Sequence, residues 1–151
     1  MLFDTHAHMD DRAFCEDRAQ LLASLKDAGV GLLMNPGCSL GSSRNAVKLA
    51  ERYDWIYAAV GSHPDVADEV TEEVLEEYRK LSKYGKVKAI GEIGIDYHYE
   101  DIPRELQKKA FFTVYPLPVR LSTMHTPAFF RIEFLSKEGW TWLSNSRFPT
   151  G

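Results

Sequence analysis

The chain has 151 residues, 44% of them hydrophobic, with 18 Lys and Arg against 22 Asp and Glu and a formal net charge of −4. That is too much apolar material for a disordered tail, and no run approaches the roughly 20 apolar residues of a membrane helix. The acidic balance argues against a broad electrostatic grip on nucleic acid and leaves open phosphate binding focused through a metal ion.

Taken in chain order, Leu2-Phe3-Asp4 predicts a short strand before a polar turn. Residues 17–28 set Leu21, Leu22, Leu25 and Ala28 on one helical face, and Gly29 follows as the helix stop. Residues 30–34 form a continuous apolar run, read as a second strand. Ser42 or Ser43 is expected to cap a second helix through Arg52, burying Ala46, Val47, Ala50 and Tyr53. Residues 56–60 read as a third strand. Thr71 opens a helix carrying Val74, Leu75, Tyr78 and Leu81, with Glu72 and Glu73 in its first turn, where the helix dipole favours them. Residues 87–90 read as a fourth strand, and Pro103 starts a fourth helix from Arg104 to about residue 112.

Strands beginning near residues 2, 30, 56 and 87, each followed by a helix, are the repeat of a parallel sheet covered on both faces. A closed (β/α)₈ barrel takes about 250 residues. The expected fold class is therefore α/β, a partial TIM barrel of parallel strands with about four of the eight β/α units, over residues 1–114. Residues 115–151 read as a divergent tail: they hold 6 charged residues in 37, against 34 in the preceding 114, and four of the seven prolines. Within that tail, 129–138 reads as a short helix. An open half-barrel leaves two strand edges unpaired and part of its apolar face uncovered, so self-association through those edges is expected.

His6 and His8 sit at the end of the first strand. Side chains alternate along a strand, so positions two apart point to one side, and two imidazoles can converge on one cation. Glu92, read as ending the fourth strand in Ala89-Ile90-Gly91-Glu92, faces the same end of the sheet, where barrel enzymes place their chemistry; the alternative is a solvated loop acid. His63 follows the third strand, and Pro64 holds it extended. It either projects into the same mouth, contacting a substrate phosphate or stabilising developing charge, or is a turn residue. Asp4 is read as a support for His6. Asp96 is either an orienter of a ligand or an Asx-turn residue. His98 and its acidic neighbours read as a solvated loop. Cys15 and Cys38 show no C-x-x-C spacing and no activating partner, so both read as reduced core or loop residues. The N-terminus carries an acid and a histidine where a signal peptide has a basic region, and a cytoplasmic location is expected.

Three segments carry a resemblance. Leu2-Phe3-Asp4-Thr5-His6-Ala7-His8-Met9-Asp10, Gly61-Ser62-His63-Pro64 and Gly91-Glu92-Ile93-Gly94-Ile95-Asp96-Tyr97 resemble, in order and at suitable separation, the landmarks of the TatD-type metal-dependent deoxyribonucleases, over about residues 1–112. The resemblance implies a TIM barrel of the amidohydrolase type and hydrolysis of phosphodiester bonds in DNA. It also implies divalent metal ions such as Mg, Mn or Zn, one or two of them, with His6 and His8 on one and Glu92 bridging both. Leu117-Pro118-Val119 followed by His125 resembles the family element carrying a third histidine ligand, but the spacing is longer and Pro127 replaces the usual Arg. The late aspartate motif of the family is absent. A pattern lost inside a helix, with a shift in composition, is what a frameshifted or truncated reading frame produces, and resequencing the source DNA tests that expectation. Three functional readings follow. The chain is a TatD-type deoxyribonuclease impaired in its second half, or a catalytically inactive remnant binding at most a metal or a protein partner, or a related hydrolase of phosphomonoesters or amides.

Overall fold

The computed structural model describes residues 1–98 and 101–118, together with the backbone of two strands at 133–136 and 139–142. The first strands and helices run β1 (Leu2–Asp4), α1 (Arg18–Asp27), β2 (Val30–Pro36), α2 (Leu40–Arg52) and β3 (Ile56–Val60). They continue with α3 (Glu72–Leu81), β4 (Val87–Ile90), β5 (Gly94–Asp96) and α4 (Arg104–Val114). Short 3₁₀ turns occupy Arg12–Phe14 and Pro64–Glu69. Strands β1 to β4 form one sheet in sequential order, parallel throughout. This is the partial-barrel α/β architecture expected from the repeat.

The strands bury apolar side chains on the helix side of the sheet. Leu33 on β2, Ile56, Ala58 and Val60 on β3, and Val87 on β4 are all fully buried. They pack against Ala46, Val47, Leu49 and Ala50 of α2 and against Leu75 and Tyr78 of α3. Small residues on α2 let its axis approach β3, while each large aliphatic side chain placed there contributes about 1.5–3 kcal/mol. Thr71 caps α3 by accepting from the Val74 amide, and Glu72 and Glu73 at its start and Arg79 and Lys80 at its end complement the helix dipole. Gly29, at φ 93°, supplies the left-handed residue that ends α1. Among the described residues, no helix is long and apolar enough to cross a membrane.

Several expectations are corrected. Helix α2 is capped not by Ser42 or Ser43 but by Ser39, whose hydroxyl accepts from the Ser42 amide. Ser43 is buried instead, its hydroxyl bonded to both the amide and the carbonyl of Gly61. Ala28 is exposed beyond the end of α1 rather than on its buried face. Strand β4 ends at Ile90, so Glu92 lies in the connection to β5 rather than at a strand end. In the 129–138 piece read as helical, residues Glu133–Ser136 form a strand, β6. It pairs in parallel with β5, and Gly139–Trp142, β7, follows it antiparallel.

Candidate metal centre

Glycines at the carboxyl end of the sheet let its loops interlock. A Cβ on Gly61, just past β3, would lie 2.9 Å from the Gly91 carbonyl carbon, the Glu92 carbonyl oxygen and the Ile93 Cγ2. A Cβ on Gly37, just past β2, would lie 2.3 Å from the Ser43 hydroxyl oxygen. Bare backbone at Gly61 therefore leaves a channel over the end of β3 through which 91–93 passes. The Gly91 amide donates to the Val60 carbonyl, and the Glu92 amide reaches as far as the Gly37 carbonyl at 2.8 Å. The Gly91–Glu92 peptide is cis.

From the other side the chain after β1 reaches the same place. The Ala7 amide donates to the Met34 carbonyl, the His6 amide to the Asp4 carboxylate at 3.1 Å, and His8 Nδ1 pairs with the Pro36 carbonyl at 3.1 Å. Successive carbonyls at the end of β2 thus hold the two arms of the site: Pro36 takes the His8 ring and Gly37 takes the Glu92 backbone. With its Nδ1 proton given to Pro36, the His8 ring presents Nε2 as a lone pair, the tautomer a cation requires.

The side chains converge accordingly. His6 Nε2 lies 3.0 Å from His8 Nε2, His6 Nε2 lies 3.6 Å from one Glu92 oxygen, and His8 Nε2 lies 3.5 Å from the other. The two rings meet edge to face at 79°. Two donors each about 2.1 Å from one ion lie about 3.0 Å apart at a right angle and about 3.4 Å apart at a tetrahedral one. The three groups, all half-buried and within 4.8 Å of one another, therefore fit a shared divalent cation. A nitrogen–carboxylate set suits Zn, Mn and Fe, and less closely Mg.

The other residues singled out from sequence take different places. His63 is extended, at φ −61° and ψ 152°, and its amide donates to the Cys38 carbonyl. Its Nδ1 donates to the Asp65 carboxylate at 2.7 Å, so it stands at the start of the 3₁₀ turn and is not one of the three gathered donors. Asp96 accepts from the His98 amide at 2.8 Å, which is the Asx-turn alternative, while its own amide is held by the buried Gln107 of α4. Burial, with the Asp10 and Glu92 carboxylates, pushes the Cys38 thiol up against the lowering effect of a Ser42 hydrogen bond, which keeps it a thiol near neutral pH. Cys15 is exposed and free. His125 lies outside the described residues.

A parallel α/β sheet with two imidazoles and a carboxylate gathered at the carboxyl ends of its strands defines a partial barrel whose three donors could hold a cation. The chain belongs to the TatD related DNase family, whose family model matches residues 3–125. It is 40% identical over 111 residues to the "uncharacterized metal-dependent hydrolase YabD" of Bacillus subtilis, covering 74% of this chain and 44% of that protein. It is 32% identical over 110 residues to the "3'-5' ssDNA/RNA exonuclease TatD" of Escherichia coli, covering 73% and 42%. The crystal structure of the TatD homologue YjjV from Escherichia coli superposes with a TM-score of 0.71 at 31% identity, over 77% of this chain and 46% of that one. The chain thus spans less than half the length of the relatives it matches.

Proposed function

We propose that this chain is a divalent-metal-dependent hydrolase of the TatD type, directed at phosphodiester bonds of DNA, with His6, His8 and Glu92 as the metal ligands. The observation that carries the reading is the convergence of those three side chains within 4.8 Å. A divalent ion bound there supplies a Lewis acid that polarises a phosphoryl oxygen and acidifies water. The chain's own groups do the rest. His8, fixed through Nδ1 by Pro36, keeps its lone pair aimed at the ion. Glu92 would contribute the negative charge that offsets a bound cation. His63, oriented by Asp65, is proposed to contact the substrate phosphate. The net charge of −4 agrees with a site in which the ion, rather than Lys and Arg, grips the phosphate. The nuclease name carried by the Escherichia coli relative supports the choice of substrate.

A second reading is favoured by the size of the set. Three donors fill half of an octahedral shell, which suits a chain that binds a cation with little or no turnover. One experiment separates the two: Zn(II), Mn(II) and Mg(II) titrations alongside hydrolysis of single-stranded DNA, with His6→Ala and Glu92→Gln as controls. Metal binding and hydrolysis both lost in the variants support the hydrolase. Metal binding lost in them, with no hydrolysis by the parent chain under any ion, supports the remnant. Undiminished binding in both variants overturns the site.

A further inference from the structure

Beside the three donors lies a second hydrogen-bonded cluster, built around Asn35 and Asp10. Asn35 is fully buried in an otherwise apolar strand, and Asp10 in the loop after His8 answers both ends of its amide. The Asp10 amide donates to Asn35 Oδ1 at 3.1 Å, and Asn35 Nδ2 donates to Asp10 Oδ1 at 2.8 Å. The second carboxylate oxygen of Asp10 accepts from the Ser42 hydroxyl at 2.7 Å, and that hydroxyl accepts in turn from the Cys38 amide. Arg18 closes the outer side by donating to the carbonyls of Met9, Asp10 and Asp11.

We propose that Asp10 is a positioning residue of the metal site, acting through Asn35 and Ser42 to set the distance between the His6–His8 loop and the Pro36–Gly37 carbonyls. The inference rests on the metal reading above and assigns to it a group that binds no ion itself. Its logic is topological. The cluster joins the loop after β1, the end of β2 and the first turn of α2, which are the segments flanking the two carbonyls that hold His8 and Glu92. Asn35 immediately precedes Pro36, and its Nδ2 also lies 3.4 Å from the Pro36 carbonyl. A slip of Asn35 therefore moves the acceptor that fixes the His8 tautomer and aim. A buried amide held against a half-buried carboxylate is retained at a desolvation cost that an apolar residue at 35 would avoid, and fixing a ligand loop gives that cost a use. Displacements of about 0.5 Å already degrade such sites, and the loss of an outer partner lowers metal affinity about 10–100-fold.

The test is competition for Zn(II) against a chromophoric chelator, with the Co(II) visible spectrum as a second readout, on the full chain. Asp10→Asn keeps an acceptor for Asn35 Nδ2 but turns an N–H toward the Ser42 hydroxyl in place of the oxygen that accepted from it, so affinity falls about 10–100-fold and the Co(II) spectrum changes. Combining it with Asn35→Asp exchanges donor and acceptor within the pair and frees the new amide oxygen for the Ser42 hydroxyl, while the contact of Asn35 Nδ2 with the Pro36 carbonyl is lost, so the double variant recovers part of the affinity. A cluster that serves folding alone would lower the melting temperature of Asp10→Asn and leave its zinc affinity and Co(II) spectrum as in the parent chain, and that overturns the proposal. Should Asp10→Asn not fold, Ser42→Ala removes the outer bond of the same cluster and is read identically. His6→Ala keeps the two failures apart. If it still binds Zn(II) as the parent does, the metal reading is wrong; if it does not while Asp10→Asn does, only the positioning role is wrong.

Discussion

Replacing Gly61 with Ala isolates the close passage on which the site is built. The new Cβ would stand 2.9 Å from each of three atoms, two of them backbone atoms of Gly91 and Glu92. Ordinary carbon contacts begin near 3.5 Å, so the 91–93 segment must withdraw by about 0.6 Å, or β3 must shift by as much. Gly61 has no positive φ, so the substitution is otherwise conformationally acceptable and by itself would add about 0.4–1 kcal/mol through the unfolded chain. Overpacking of this kind costs about 1–3 kcal/mol, which leaves a net destabilisation of up to about 2.6 kcal/mol. The displaced segment carries Glu92, whose oxygens lie 3.5 and 3.6 Å from the imidazole nitrogens, so metal affinity falls by about tenfold or more. Urea unfolding followed by circular dichroism gives the first quantity and zinc competition the second. A Gly61→Ala chain more stable than the parent, with unchanged zinc affinity, would refute the reasoning.

Two further outcomes follow from groups around that passage. Tyr78→Phe removes a buried hydroxyl that bonds Ser62 at 2.7 Å and the Gly61 carbonyl at 2.8 Å; unfolding in urea shows a loss of about 1–3 kcal/mol, because the Ser62 hydroxyl loses its partner. Burial pushes the Tyr78 phenol up, so phenolate absorbance does not develop at its usual pH while the chain stays folded. At the α2–α3 surface, hydrogen bonds from Lys80 and then Arg44 hold the Glu77 carboxyl down at about 2 from 4.5. Above pH 4.5 both folded and unfolded chains carry the charge and the contribution is complete; as pH falls from 4.5 to about 2 the unfolded chain takes up a proton first and stability declines. Glu77→Gln flattens that stretch of the acid unfolding curve, and salt shrinks the difference, since the pair faces solvent.

What could be read without coordinates was what local pattern encodes. The third and fourth strands lie where they were read, at Ile56–Val60 and Val87–Ile90, because the positions they bury, Ile56, Ala58 and Val60 on one and Val87 and Ile90 on the other, are apolar. The third helix follows its cap and its charged first turn. The histidine pair was legible from its spacing, but β1 ends at Asp4, so His6 and His8 stand in the loop after the strand and are brought to one side by the bonds of that loop to the Met34 and Pro36 carbonyls, not by strand alternation. The start of the second helix was not, since Ser39, Ser42 and Ser43 offer similar caps and only packing against Gly61 assigns Ser43 elsewhere. Glu92 was placed at a strand end because nothing local marks where pairing with the third strand stops. Asn35 and Asp10 were missed altogether. A lone amide at the end of an apolar run was the available signal, but its partner lies 25 residues away. Asp96 was open between two roles, and the bond it accepts from the His98 amide, two residues on, is what decides for the turn.

The order of the sheet gives the three donors a further meaning. Strands one and four are its opposite borders, and in a flat sheet three spacings of about 4.8 Å would part them by about 14 Å. Imidazoles following one border nevertheless stand 3.5 and 3.6 Å from a carboxylate following the other. The donors are thus a clasp across a curled sheet, and their separation gauges how far it has rolled. An ion seated there would reward the rolled shape as a whole, with every β/α unit sharing in the stabilisation that mass action confers.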